Sequence, residues 1–235
     1  MRTLRFLVAG ILVCLCSFAT AADRPTVGVV EFKNETNAYW FSGGVGWDLA
    51  NMLTNELVGT GVFRVVERSM LESVLAEQNL AASGRAAASG DAQIGKLASA
   101  PYLIMGTVTS FEGGTKSTGG GIRIKGFSIG GKKTEAYLAI DLRVVDSTTG
   151  IVEYVRTVEG RSGGSGVSVG YSEAGFGGTL ATESNTPVGK AIRAAVIEAT
   201  DYLACVMYYQ DECMDDYYGK DRRRRSRTKD AIDLD

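Results

Sequence analysis

Two glycine-rich stretches, Gly113 to Gly131 and Gly160 to Gly178, constrain the fold more than anything else in the chain. Glycine-rich segments ordinarily read as flexible loops, but these carry an internal period of two. Val167, Val169 and Tyr171 alternate with Ser168, Gly170 and Ser172, apolar on one side and small or polar on the other, with Phe176 further along. Ile122 and Ile124 alternate with Arg123 and Lys125. Phe127 and Ile129 then continue on the opposite parity, a slip that Gly126 absorbs as a turn or a bulge.

This two-faced pattern suits a transmembrane β-strand, in which about ten tilted residues cross the bilayer with one face on lipid and the other on a watery lumen. It places Ile122, Ile124, Phe127, Ile129, Val167, Val169, Tyr171 and Phe176 on membrane hairpins. Arg123, Lys125, Ser168 and Ser172 fall on the lumen side, because a Lys or Arg at the lipid midplane costs roughly 2–4 kcal/mol. Each stretch with its flanks, at about 109–137 and 155–183, is long enough for one hairpin. Two hairpins supply four strands, too few to close a barrel, and an open edge in lipid leaves backbone groups unpaired at several kcal/mol each. Inserted hairpins therefore require a ring of chains.

The remainder reads as a compact α/β unit. Thr26 to Phe32 is a short, nearly continuous apolar strand, and Val62 to Val66 is a second. Val45, Leu49, Met52, Leu53 and Leu57 form one stripe at helical period, stopped by Gly59 and Gly61. Glu67 to Gln78 predicts a helix with Met70, Leu71, Val74 and Leu75 on its packed face, and Asp91 to Ala98 predicts a brief one. Tyr102 to Val108 predicts a strand covered on both faces. Leu138, Ile140, Leu142 and Val144 alternate along a strand with one core face, and Asp146 to Gly150 turns the chain into a returning strand, Ile151 to Val158. Thr186 and Pro187 open the last helix as cap and first position. The stripe of that helix is Val188, Ile192, Ala195, Val196, Ala199, Leu203 and Val206. The charged tail, 211–235, predicts mostly disorder, with Arg222 to Arg225 in a solvated end.

Arg2 and Arg5, the apolar run Phe6 to Phe18 and the sequence Ala19-Thr20-Ala21 make residues 1–21 a secretory signal peptide, cut after Ala21 or after Ala22. Cys14 and Cys16 leave with it. Val13 and Leu15 precede them where lipoprotein processing needs a small residue, so the expectation is a chain without a lipid anchor. Losing Arg2 and Arg5 takes the formal charge of the 235-residue chain from −2 to −4, which excludes nucleic acid as a partner. Cys205 and Cys213 remain, bound for an oxidising compartment, as a disulfide or as two free thiols.

The chain has no histidine. Ser-His-Asp and Cys-His nucleophile systems are therefore excluded, and histidine-based metal sites with them. Glu31, Glu35 and Asp48 lie near the first strand and helix without the spacing of an acid/base pair. The expectation is no cofactor, no metal and no catalytic residue.

Several segments together carry a family resemblance. Glu67-Arg68-x-x-Leu71-x-x-Val74-Leu75 follows the second strand, and Lys116-Ser117 runs into glycines. Leu142-Arg143-Val144-Val145 and Ser147-Thr148-Thr149-Gly150 come next, and Ser184-Asn185-x-Pro187-Val188 opens the last helix. In this order, from Thr26 to Tyr208, the chain resembles the curli-secretion channel (CsgG) family. The resemblance implies a periplasmic α/β domain whose two β-hairpin extensions complete a large oligomeric transmembrane β-barrel in the outer membrane, surrounded by lipid. It implies export of unfolded polypeptide, with room for a periplasmic gating partner. At four strands per subunit, the 36-strand barrel that is the largest known corresponds to roughly nine subunits.

Trp40-Phe41-Ser42 falls on the family's Asn-Phe-Ser constriction motif, with Tyr39 adjacent, so the resemblance places Tyr39, Trp40 and Phe41 at a pore constriction. Packing of the first helix by these aromatics is the competing role. The alternative function is a soluble periplasmic accessory or activator module for envelope assembly, which shares the core domain and lacks the paired amphipathic hairpins.

Overall fold

The structure, a computed structural model, describes residues 23–86, 92–117, 122–124, 127–129, 132–162 and 186–232. The expected signal peptide, Lys125 and the second glycine-rich stretch from residue 163 on, with Val167, Ser168, Val169, Tyr171, Ser172 and Phe176, lie outside those residues.

A six-stranded mixed sheet forms the centre. Its strands are β1 (Thr26–Val29), β2 (Lys33–Asn34), β3 (Arg64–Val66), β4 (Tyr102–Ser117), β7 (Lys132–Asp146) and β8 (Val152–Ser162), while β5 (Ile122–Ile124) and β6 (Phe127–Ile129) pair separately. The order is β3-β1-β4-β7-β8, with β2 beside β4. β1 runs parallel to β3 and β4, and β4, β7 and β8 are antiparallel.

β1 stops at Val29, three residues before the expected end. The break seats Phe32: its buried ring lies where a Cβ on Gly106 would project, and its N–H donates to the Gly46 carbonyl at 3.1 Å. The chain then rejoins β4 as β2, pairing Lys33 with Thr107 and Asn34 with Val108.

Helices α1 (Val45–Thr60) and α3 (Pro187–Ala204) contribute to the same core. The α1 stripe Val45, Leu49, Met52, Leu53 and Leu57 is buried as expected, and Gly61 closes the helix in the left-handed conformation (φ 72°). Thr186 caps α3 by accepting from the Gly189 N–H at 3.0 Å, with Pro187 at the first position. All seven residues of the expected α3 stripe are buried. They pack with Ile104, Val108, Leu138, Ile140, Leu142 and Val144 of the sheet.

Four expectations are corrected. β4 is covered on one face only: Ile104 and Val108 are buried, while Met105 between them is exposed. Its register puts Met105 opposite Arg143 and Ile104 opposite Val144, so the polar alternation of β7 fixes which face of β4 meets water. α2 (Leu71–Ala82) starts later than expected and buries only Gln78, leaving Met70 59% exposed and Leu75 exposed. Glu67 instead makes a turn, accepting from the Met70 N–H and the Ser69 hydroxyl at 2.8 Å each. Partial burial would raise its carboxyl, yet these donors leave it below its ordinary value. Residues 92–98 carry a turn and no helix, since Gly95 sits in the left-handed conformation (φ 80°). The tail, expected to be disordered, is helix α4 (Cys213–Ile232).

The order of α4 comes from the disulfide, one of the two alternatives that Cys205 and Cys213 offered, and from contacts that composition does not reveal. Cys205, in the π-helical turn Cys205–Tyr209 after α3, is joined to Cys213 with Cα atoms 6.0 Å apart. The Tyr217 ring meets Tyr202 edge-on at 5.3 Å. Lys220 reaches Glu198 of α3 at 3.5 Å, and Asp221 pairs with Arg224 at 3.2 Å one turn on. Burial pushes the Tyr202 and Tyr217 hydroxyls up to about 12. Acidic residues occupy the first turn of α4 and a lysine the last, matching the helix dipole.

The disulfide spans eight positions, a loop whose closure stabilises by about 2.5 kcal/mol in the chain-entropy model. Cys205→Ser is therefore expected to lower the urea-unfolding free energy by about that amount and to release α4 to faster amide exchange. Mass spectrometry without reductant should find no free thiol in the mature chain.

Candidate functional site: the aromatic loop and the glycine-rich ladder

The loop from β2 to α1 is held by short polar contacts. Thr36 donates to Asn34 Oδ1 through its N–H (2.9 Å) and its hydroxyl (2.7 Å), and its Oγ1 accepts from the Ala38 N–H at 3.1 Å. The Phe41 N–H donates to the Ala38 carbonyl at 3.1 Å, closing a turn around the aromatic triplet. Gly43 and Gly44, at φ 49° and 93°, then bend the chain into α1.

The three aromatics take different places. Tyr39 is 77% exposed. Trp40 is 9% exposed and turned into the core, where its Nε1 finds no hydrogen-bond partner among the described residues. Phe41 is half-buried, 5.6 Å from Trp40. Phe111 of β4, which sequence reasoning did not single out, joins the group: its ring lies 5.9 Å from Tyr39 and 5.5 Å from Trp40, both edge-on. No local signal marks Phe111, because its partners lie about seventy residues earlier.

Phe111 also marks where the β4–β7 ladder takes up a new register. Past an irregularity between Val108 and Ser110, eight further pairs run from Ser110 opposite Ala139 to Ser117 opposite Lys132. At about 3.4 Å per residue these eight pairs extend roughly 27 Å. The N–H of Glu35 donates to the Val108 carbonyl at 2.9 Å, at this irregularity. The aromatic loop therefore sits at the foot of the ladder.

In the first glycine-rich stretch, Ile122 pairs with Ile129, Arg123 with Ser128 and Ile124 with Phe127.

No group of described residues is arranged to hold a metal ion, and no helix among them is long and apolar enough to cross a membrane.

A family model described as curli production assembly/transport component CsgG matches residues 12–232. Among solved structures, the chain is similar to the PelC dodecamer from Paraburkholderia phytofirmans at 14% identity, covering 75% of this chain and 86% of that one, with a TM-score of 0.40. It is similar to the hypothetical protein CT253 from Chlamydia trachomatis at 12% identity, covering 77% and 96%, with a TM-score of 0.44. Lipoprotein GNA1162 from Neisseria meningitidis follows at 16% identity, covering 62% and 88%, with a TM-score of 0.34. No curated protein matches the chain.

Proposed function

Because the chain belongs to the family of curli production assembly/transport components (CsgG), we propose that it is one subunit of an outer-membrane ring that exports unfolded polypeptide. Membership makes it a transport component, not an enzyme, and implies a cell-envelope location. The observation that supports the finer reading is the β4–β7 ladder, which runs eight pairs past its irregularity into a glycine-rich segment whose sequence alternates apolar with polar residues. A strand pair of this kind cannot stand alone in lipid, so the ring follows from backbone hydrogen bonding.

In this reading the second stretch, with Val167, Val169, Tyr171 and Phe176 outward and Ser168 and Ser172 inward, completes four strands per subunit. Roughly nine subunits then close a 36-strand barrel. Tyr39 and Phe41 line the constriction, and buried Trp40 braces them from behind. Met70, Leu75 and Met105, exposed in the single chain, offer apolar surface to a neighbour in the ring. The chain carries no acyl anchor in this account, so the hairpins themselves hold it in the bilayer. The opening leaves room for a periplasmic gating partner.

Single cysteines placed along 122–129 and 166–173 test this in outer-membrane preparations. Labelling should alternate between a lipid-soluble and a water-soluble reagent with period two. Uniform water-soluble labelling would make both stretches loops and favour the soluble accessory module.

A further inference from the structure

A cleft of about 590 Å³ opens between β8 and helix α4, with Arg161 at one end opposite Tyr137 of the ladder. Arg156 and Arg161 of β8 and Lys220, Arg224 and Arg227 of α4 line it. The only carboxylates among its lining residues are Glu159, Glu198 and Asp221, so cations exceed acids by two. This excess sits on a chain whose mature charge is −4.

Two features make the cleft more than a solvated face. Arg156 is held from both sides, its guanidinium 5.2 Å from the Tyr202 ring and 4.5 Å from the Tyr217 ring. Its side chain is only 10% exposed, with a contact to Glu198 at 3.7 Å, and its buried Nε–H has no acceptor among the described residues. A buried donor without a partner is costly, and an incoming acceptor relieves it. In addition, β8 ends the sheet among the described strands, and an edge strand presents backbone N–H and C=O groups to an added strand.

The spacing of the cations selects the ligand. Lys220, Arg224 and Arg227 lie at i, i+4 and i+7 on α4, about 6 and 4.5 Å apart along the axis at 1.5 Å per residue. Alternate side chains of an extended strand repeat at roughly 6.6–6.8 Å, close to the Lys220–Arg224 interval, with Arg227 reaching the second carboxylate from the next turn. The existing pairs Lys220–Glu198, Arg224–Asp221 and Arg161–Glu159 are partly exposed, and such pairs are weak enough to exchange partners.

We propose that this cleft binds an extended acidic peptide segment of a partner protein, which adds as a strand to β8 with its carboxylates against Arg156, Lys220, Arg224 and Arg227. The proposal shares β8 with the channel reading, since Arg156, Glu159 and Arg161 lie at the base of the second hairpin (about 155–183); peptide binding to the chain in solution and labelling along 166–173 report on the two readings separately.

The test uses the full mature chain and a fluorescent ten-residue peptide of alternating Asp and Val, followed by anisotropy. The peptide should bind, and its Asn-for-Asp version should not. Methylating alternate backbone nitrogens on its pairing edge should abolish binding. Arg224→Gln with Arg227→Gln should weaken binding about tenfold, whereas Arg222→Gln with Arg223→Gln, off the cleft and equal in charge, should weaken it no more than about twofold. Circular dichroism and the melting temperature confirm that both double variants remain folded. Equal weakening by both pairs, binding of the methylated peptide, or binding to phosphatidylglycerol vesicles with none to the peptide would each overturn the proposal.

Discussion

Gly160→Ala should leave the chain barely able to fold, the largest stability loss expected from any single methyl group here. A Cβ at Gly160 would fall on the Ala191 carbonyl and lie 2.8 Å from the Ala195 nitrogen, both in the backbone of α3. No rotamer change relieves a clash with backbone. α3 must lift from β8, and the packing of Ala191, Ile192, Ala195 and Val196 goes with it. Overpacking of flexible side chains costs about 1–3 kcal/mol, and a backbone clash belongs to the exceptional class above about 4 kcal/mol. Gly59→Ala provides the contrast. It lies in α1 with nothing within 4 Å of its added Cβ, and should stabilise by about 0.5–1 kcal/mol. Urea unfolding of the two variants decides the matter. Equal midpoints would mean that β8 and α3 are not pressed together.

The aromatic loop carries the second large effect, and its neighbouring residues should behave differently. Trp40→Ala removes a core side chain and should cost about 3–5 kcal/mol, with correspondingly fewer assembled rings. Phe41→Ala should leave assembly intact and raise single-channel conductance in planar bilayers, because in the ring we propose one aromatic per subunit repeats around the axis and every copy is shortened together. Assembly with unchanged conductance would remove Phe41 from the pore. Destabilisation of Phe41→Ala without a conductance change would assign it to the core beside Trp40.

The sequence could distinguish the two positions only in part. Three consecutive aromatics announce a packed or functional loop, but which of them turns inward depends on Phe111, supplied by a distant strand. α1 and α3 were legible because helical period, a Thr-Pro start and terminal glycines all act locally. β7 and β8 were legible because one face alternates and Asp146 makes its own turn. Its Oδ1 accepts from the N–H groups of Thr149 and Thr148, which hold the carboxyl below its ordinary value.

The tail was misread for the opposite reason. Its arginines and aspartates look solvated residue by residue, and the helix is tied down by a disulfide and by Tyr217 against Tyr202, none of which periodicity reveals. α2 failed differently. Leu71, Val74 and Leu75 of its expected stripe lie on the helix and Met70 at its N-cap, but the single chain leaves Met70 and Leu75 exposed. In the ring we propose, that surface meets a neighbouring subunit.

The channel account stands most directly on whether the chain assembles in the outer membrane. Outer membranes extracted in mild detergent, with the chain purified and examined by electron microscopy, should yield uniform closed rings with a central opening, roughly nine subunits around at four strands each. Monomers recovered from the soluble periplasmic fraction, with no ring particles in the detergent extract, would contradict it.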